Sequence, residues 1–323
     1  MNAHAHVAVV IPCYRAREHV LGVIEAVPPT VASIHIVDDA CPDGTGRHVE
    51  SLCRDPRVRV HRNPRNLGVG GAVMRGYEEA LAAGADVIVK IDGDGQMDPR
   101  LLPLFVGPIV SGEADYTKGN RFFDLTNIAR MPALRIFGNA VLSFMSKLST
   151  GYWDIFDPTN GYTAIHADVA RRLPMAKISQ RYFFESDILF RLNTLRAVVV
   201  DIPMDAHYGN EVSNLRVSRV LPDFLWKHVR NFGKRIFYNF FLRELSIASF
   251  ELVVGVGLTA TGLVHGALGW WESSQTGHPN PPGTVMLTAL LLIMGLQFLL
   301  AFLNYDISST PHRAIHTSRA PWP

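Results

Sequence analysis

Charge is scarce in this 323-residue chain and almost absent from residues 246–305. Asp, Glu, Lys and Arg make up 19% of the residues, and mean hydropathy is +0.11. The formal net charge of +2 is too small to make nucleic acid the main partner, so no nucleic-acid binding is expected. Cysteine is rare: Cys13, Cys41 and Cys53 are the only three and have no zinc-like spacing. An odd count without a framework argues for reduced, buried thiols in a cytosolic domain. A secretory signal is not expected, because Val7–Ile11 reads as a strand and Met1–His6 lacks a cationic region. Gly68-Val69-Gly70-Gly71 is neither G-x-G-x-x-G nor the G-K-[ST] end of a P-loop. A dinucleotide-dependent dehydrogenase and a P-loop ATPase are thereby disfavoured. Gly-rich backbone opening a helix can still accept phosphate.

What the chain does have is Lys90–Pro99, K-I-D-G-D-G-Q-M-D-P, at the end of an apolar run. Val and Ile favour a buried strand and Gly-Asp-Gly cannot continue one, so the acids sit where a core strand emerges. Ligands of open α/β sheets bind beyond such strand ends. Asp92 and Asp94 are two apart and can converge on one hard divalent cation, with Gln96 adding a neutral oxygen. Oxygen-only ligation suits Mg²⁺ or Mn²⁺. An ordinary acidic turn is the competing reading. Strands are expected at 7–11, 33–37, 58–60 and 86–91, with helices between them. This β-α-β-α-β-α-β order implies a mainly parallel sheet with right-handed crossovers. Further strands are expected near 115–121, 163–165 and 198–203, and helices at 101–110, 134–148 and 188–195.

Four patterns occur in order: Val9-Val10-Ile11-Pro12-x-Tyr14, then Val37-Asp38-Asp39 with Asp43-Gly44-Thr45, then Asn66-x-Gly68, then Asp92-x-Asp94-Gly95-Gln96. Together they resemble family 2 glycosyltransferases of the GT-A fold, in particular the dolichol-phosphate mannose synthase-like, or polyprenyl-phosphate glycosyltransferase, branch. The resemblance covers about residues 7–245. Two departures are Ala40-Cys41-Pro42, where small Ser-Thr stretches are common, and Gly93, where Ala is frequent. The resemblance implies a Rossmann-like GT-A domain over 1–216 and a role for each matching residue. Pro12 and Tyr14 would line the nucleotide base, Asp39 would hold base or ribose, and Asp38 would support that loop. Asn66 and Gly68 would belong to the same donor site. Asp92, Asp94 and Gln96 would hold Mg²⁺ or Mn²⁺ against the donor diphosphate. Arg121, Arg135 and, less so, Arg130 are candidates to clamp a lipid phosphate, because guanidinium forks match phosphate oxygens. Glu185 or Asp187 would orient the sugar. Arg216 and Ser218 would fold over the pyrophosphate as a lid.

The remainder has a different character. Residues 217–245 interleave Phe224, Leu225, Phe232, Ile236, Phe240 and Phe241 with Lys227, Arg230, Lys234, Arg235 and Arg243. That pattern predicts interfacial amphipathic helices, with a break at Gly233. Within 246–306, Leu252–Trp271 has no Asp, Glu, Lys or Arg, and Val285–Leu303 has Gln297 as its one strongly polar residue. Each run meets the ~20-residue requirement for a transmembrane helix. Basic residues flank the pair while the connector has none, which by the positive-inside rule puts the catalytic domain and the 307–323 tail in the cytoplasm. His265 is expected to be buried and hydrogen-bonded, and the tail after Asp306 to be disordered.

The combined expectation is an inverting transferase at the cytoplasmic face of the cell membrane. It would move a hexose from a UDP- or GDP-linked nucleotide-sugar donor to a polyprenyl phosphate such as undecaprenyl phosphate. The bilayer, and in a homo-oligomer a second copy, would be its other partners. Two readings compete. A processive polysaccharide synthase of the same family would carry Q-x-x-R-W, which Gln180-Arg181-Tyr182 does not supply. A non-catalytic membrane-anchored scaffold would not need the intact Asp92/Asp94/Gln96 set.

Overall fold

The computed structural model describes residues 5–123, 133–204 and 217–317. They fall into two compact units, Met1–Gly233 with Pro311–Pro323, and Lys234–Thr310. In the first unit, β1 (Val7–Cys13), α1 (Val20–Ala26), β2 (Ser33–Asp38), α2 (Thr45–Leu52), β3 (Val58–Arg62), α3 (Val69–Ala82) and β4 (Val87–Lys90) alternate as expected. There follow α4 (Leu102–Val110), β5 (Tyr116–Asn120), α5 (Ala133–Thr150), β6 (Thr163–His166), α6 (Ala167–Arg172), α7 (Phe184–Leu195) and β7 (Val199–Pro203).

The seven strands form one sheet in the order β3-β2-β1-β4-β6-β5-β7. Its pairings are parallel except those of β6, which runs antiparallel to both β4 and β5. The mainly parallel, GT-A-like α/β sheet is therefore the one the sequence predicts. Alternate residues feed two cores. Val10, Ile88 and Ile165 face one layer, whereas Val9, Ile11 and Val89 face the other. A sheet covered on both faces explains why these strands read as continuous apolar runs. The reversal of β6 matters for the site. Lys90 at the end of β4 pairs with Thr163 at the start of β6. The segment entering β6, Asp157–Tyr162, thus lies beside the acidic turn leaving β4.

A long helix, α8 (Val217–Phe237), begins in the first unit and ends in the second. Asn231 donates to Asp187 at 3.1 Å, and His228 lies 2.7 Å from Ser149 Oγ with its ring between Phe183 and Phe224. The helix passes through Gly233 without a break. The interruption comes instead after a π-helical turn at Tyr238–Arg243, where Glu244 is extended. A glycine with open space around it costs helix propensity but need not end a helix that packs elsewhere.

In the second unit α9 (Ile247–Thr276) and α10 (Pro282–Ser308) are long and apolar enough to cross a membrane. They meet through small residues. A Cβ on Gly255 would sit 3.0 Å from Leu299, and one on Gly295 would overlap Thr259. Such close approach is how apolar helices gain packing where lipid offers no hydrophobic drive. His265 lies 2.8 Å from Thr288 Oγ1, hydrogen-bonded as expected but half-buried rather than buried. Arg235, at the end of α8, forks onto Asp306 at 2.5 and 2.9 Å, and both side chains are buried.

The stretch after Asp306 is not disordered throughout, contrary to expectation. The segment Ile315–Thr317 forms a 3₁₀ turn against Asp115. Asp115 accepts the backbone N–H groups of Val198, Ile315 and His316, and the His316 ring lies 2.6 Å from it. Burial pushes this carboxyl up, but the His316 and backbone bonds outweigh burial and hold it below the usual range. These partners are two hundred residues apart in sequence, so no local pattern announces them.

Two buried histidines make the fold acid-sensitive. Burial lowers His228, and burial with the neighbouring His61 lowers His35, each to about 4. The unfolded chain takes up these protons near pH 6.5, whereas the folded chain resists until about 4. Stability is full above pH 6.5 and falls as pH drops from 6.5 to 4, by about 3 kcal/mol for each group on an order-of-magnitude reckoning. Thermal melts in detergent between pH 7.5 and 4.5 should therefore show a falling Tm. His228→Gln, which keeps a polar partner for Ser149, should flatten that slope.

Candidate active site

The carboxyl ends of β1, β2 and β4 open onto one cleft of about 550 Å³. Its walls include Pro12, Tyr14, Asp39, Asn66, Gly68, Asp92 and Asp94, seven of the residues expected at the donor and metal sites. Arg15, His19, Arg181 and Tyr182 line it as well.

The two adjacent acids after β2 have different tasks. Asp38 accepts the N–H groups of Cys41 and Gly46 at 2.7 Å each, which ties the following loop to the first turn of α2. Asp39 accepts from Asn63 Nδ2, Leu67 N and Gly68 N at 2.7–2.9 Å. It thereby draws the 63–68 loop to the cleft edge. Gly68 has φ +86°, and a Cβ there would lie 2.6 Å from the Gln180 carbonyl oxygen. Only glycine allows the 177–183 segment to close this side.

At the end of β4, Asp92 and Asp94 stand on a turn that Gly95 allows at φ +78°. Asp94 Oδ1 accepts the Gln96 backbone N–H at 3.0 Å. Gln96 does not line the cleft wall. Beneath them is a set of enclosed charges. Lys90 Nζ lies 2.7 Å from Asp92 Oδ1, with the lysine side chain 1% exposed. Lys118, fully buried on β5, donates to the Asn160 carbonyl, and burial lowers it to about 8. Burial raises the Glu185 carboxyl above its usual range, with Lys90 and Lys118 pulling the other way and Asp92 adding to the rise.

Asp187 stands apart from this set. Its oxygens take Ser179 N at 2.9 Å, Arg191 at 3.3 Å and Asn231, so it ties the 177–183 segment to α7 and α8. Arg121 directs Nε and Nη2 at Asp157, at 2.7 and 2.9 Å, and Nη2 also reaches Thr159. Burial pushes Asp157 up, but this fork and Lys118 more than reverse it. That edge of the guanidinium is committed to the Asp157–Tyr162 loop.

The family model Glycosyl transferase family 2 matches residues 8–173. The chain belongs to glycosyl transferase family 2. Among its relatives, an undecaprenyl-phosphate mannosyltransferase from Micrococcus luteus is 33% identical over 204 residues, covering 61% of this chain and 82% of the relative. A polyprenol monophosphomannose synthase from Mycolicibacterium smegmatis is 30% identical over 201 residues, covering 61% and 75%. Among solved structures, glucosyl-3-phosphoglycerate synthase from Mycobacterium tuberculosis, in complex with Mn²⁺, UDP and phosphoglyceric acid, has a TM-score of 0.54 at 17% identity. That match covers 72% of this chain and 78% of the other, and it shows the GT-A-like fold. The branch resemblance carried by the four motifs agrees with the names of these relatives.

A divalent ion fits the residues present. Two carboxylates on a glycine turn at the cleft wall are hard oxygen donors. Gly161 leaves space that a Cβ would fill, since it would lie 2.4 Å from Asp92 Oδ2. No group of three or more His, Cys, Asp or Glu side chains placed to hold a metal occurs among the described residues. Arg130 and Arg216, and the side chains of Arg135 and Ser218, lie outside the described residues.

Sequence reading passed over Arg15, His19, Arg181 and the two lysines. Arg181 reaches the cleft only because a distant segment closes on Gly68. The lysines did carry a signal: a charged residue inside an apolar strand run must be paired when buried. Gly68→Ala is expected to destabilise the protein by about 2 kcal/mol or more, through strain and collision with Gln180. A Tm lowered by several degrees would show it, whereas an unchanged Tm would mean the 177–183 segment can move aside without cost.

Proposed function

We propose that this family 2 member is an inverting glycosyltransferase that moves a hexose from a nucleotide sugar to a polyprenyl phosphate at the cytoplasmic membrane face. The observation that carries the reading is the meeting of Asp39 with Asp92 and Asp94 in one cleft, in a chain that also has two span-length apolar helices. The names of the relatives, which include undecaprenyl-phosphate and polyprenol acceptors, support the acceptor class. A soluble acceptor would not require a membrane hairpin.

In this reading Pro12 and Tyr14 pack against the base, and Asp39 fixes the loop beside base and ribose. Asp38, Asn66 and Gly68 shape that wall. Asp92, Asp94 and the side-chain oxygen of Gln96 would hold Mg²⁺ or Mn²⁺, and the Gln96 backbone N–H already steadies Asp94. These residues would place an ion where it would supply charge neutralisation for a departing diphosphate. The acceptor phosphate is anionic at neutral pH and attacks the anomeric carbon without a strong base. Attack opposite the diphosphate inverts that centre. The protein's main task is to bring two mutually repelling anions into line. Glu185, whose carboxyl feels the charges of Lys90, Lys118 and Asp92, is favoured over Asp187, which is taken up by Ser179, Arg191 and Asn231, as the acid that orients the sugar. Arg135, Arg121, Arg216 and Ser218 remain the proposed phosphate contacts.

The test is to incubate the detergent-purified chain with Mg²⁺ or Mn²⁺, a panel of UDP- and GDP-sugars, and undecaprenyl phosphate. Nucleotide release and a lipid-linked sugar are expected only with metal and lipid together. Asp94→Ala should lower turnover at least ~100-fold with little change in Tm. A growing polymer would favour the processive synthase, and no turnover of any donor would favour the scaffold.

A further inference from the structure

Lys90 is an odd residue to find in the central strand of this sheet. It sits on β4 with β1 on one side and β6 on the other, opposite Val10 and Thr163. Its side chain is 1% exposed, and an apolar residue of similar length would fill the place without taking a charge out of water. Its ammonium is not directed at a distant structural partner. It lies 2.7 Å from Oδ1 of Asp92, one of the two carboxylates at the cleft wall. The other carboxylate oxygen faces the backbone of Gly161, where no side chain fills the space. A Cβ built on Gly161 would fall 2.4 Å from both Asp92 Oδ2 and Lys90 Nζ. The backbone of Gly161 therefore lies against this ion pair and limits where either group can turn. The Asp157–Tyr162 loop that carries Gly161 is itself held by Arg121 and Lys118. The ion pair is thus built in rather than a chance approach of flexible side chains.

The consequence concerns charge. Two carboxylates invite a divalent cation, but a cation already rests on one of them. With Lys90 counted, Asp92 and Asp94 present a net charge near −1 where −2 would otherwise stand. Electrostatic attraction in an enclosed site falls accordingly, and the ammonium also repels an incoming ion directly. A nucleoside diphosphate brings its own negative charge and oxygen ligands, which Mg²⁺ and Mn²⁺ commonly share with carboxylates.

We propose that Lys90 is a positioning residue that acts through Asp92: a built-in counter-cation that keeps the metal site weak until the donor diphosphate arrives, so that ion and nucleotide bind together. The proposal rests on the nucleotide-sugar reading. A divalent ion alone is then expected to bind weakly, and the two affinities are linked. If nucleotide tightens metal, metal must tighten nucleotide by the same factor.

Mn²⁺ binding to the full-length chain in detergent, followed by the electron paramagnetic resonance of free Mn²⁺, tests this without turnover. The probes are Mn²⁺ alone, Mn²⁺ with UDP, and Mn²⁺ with GDP. For the unaltered protein, one of the two nucleotides should tighten Mn²⁺ binding at least ten-fold. Lys90→Met, with Lys90→Gln as a second neutral replacement, should bind Mn²⁺ alone at least ten-fold tighter than the unaltered protein, and the nucleotide effect should shrink correspondingly. A merely structural role for Lys90 predicts the opposite, weaker binding with a lower Tm. Tight Mn²⁺ binding by the unaltered protein that no nucleotide improves would overturn the proposal even if neither variant folds. So would neutral variants that fold and bind Mn²⁺ no better. A gain in Mn²⁺ affinity in the variants with no effect of either nucleotide would keep the counter-cation and overturn the donor reading instead.

Discussion

A sheet covered on both faces has no water with which to solvate a charge, and the cleft is built on that constraint. Lys90 and Lys118 enter the sheet as cations, and each must find oxygen at short range. Lys90 finds Asp92, and Lys118 finds the carbonyl of Asn160. The first contact fixes the acidic turn after β4, and the second fixes the loop before β6 to β5. Glu185 completes the set from the first turn of α7, its charge balanced against both lysines. The site's electrostatics are therefore fixed by the interior of the fold rather than by side chains on mobile surface loops.

The same rule governs the edge of the site. Asp39 gathers three N–H donors from the 63–68 loop, and Asp157 receives the Arg121 fork. Each carboxylate sits at the end of a segment that would otherwise lack regular partners, and each converts a loop into a defined wall. Glycines do the complementary work. Gly68 and Gly161 stand where a backbone must pass within contact distance of another chain segment, and a Cβ at either would collide. Charge pairs pull the walls in, and the missing side chains let them close.

The second unit obeys a different solvent. Its two long helices expose apolar surface along most of their length and touch through glycines. Its buried charges, Arg235 and Asp306, form a bidentate pair joining the end of α8 to the end of α10. A fork of that kind suits a junction between helices because it sets orientation as well as distance.

The sequence by itself determined the alternation of strands and helices, the place of the acidic turn and the two apolar spans. Each of these is written in local periodicity, in glycine and proline punctuation, or in uninterrupted hydropathy. The four motifs in register were enough to place the chain among family 2 glycosyltransferases, and seven of the residues they name line one cleft, though Asp38 and Gln96 do not. Only the tertiary structure decided which acids face that cleft and which serve the scaffold. Asp187 and Glu185 are neighbours in one helical turn, yet the first is taken up by Ser179, Arg191 and Asn231 while the second feels the charges of Lys90 and Lys118. The antiparallel insertion of β6, the docking of Ile315–Thr317 on Asp115 and the approach of Arg181 to Gly68 are equally non-local. The physical reason is common to all three. A side chain's role is set by what lies opposite it across the fold, and those partners stand from several tens to two hundred residues away along the chain.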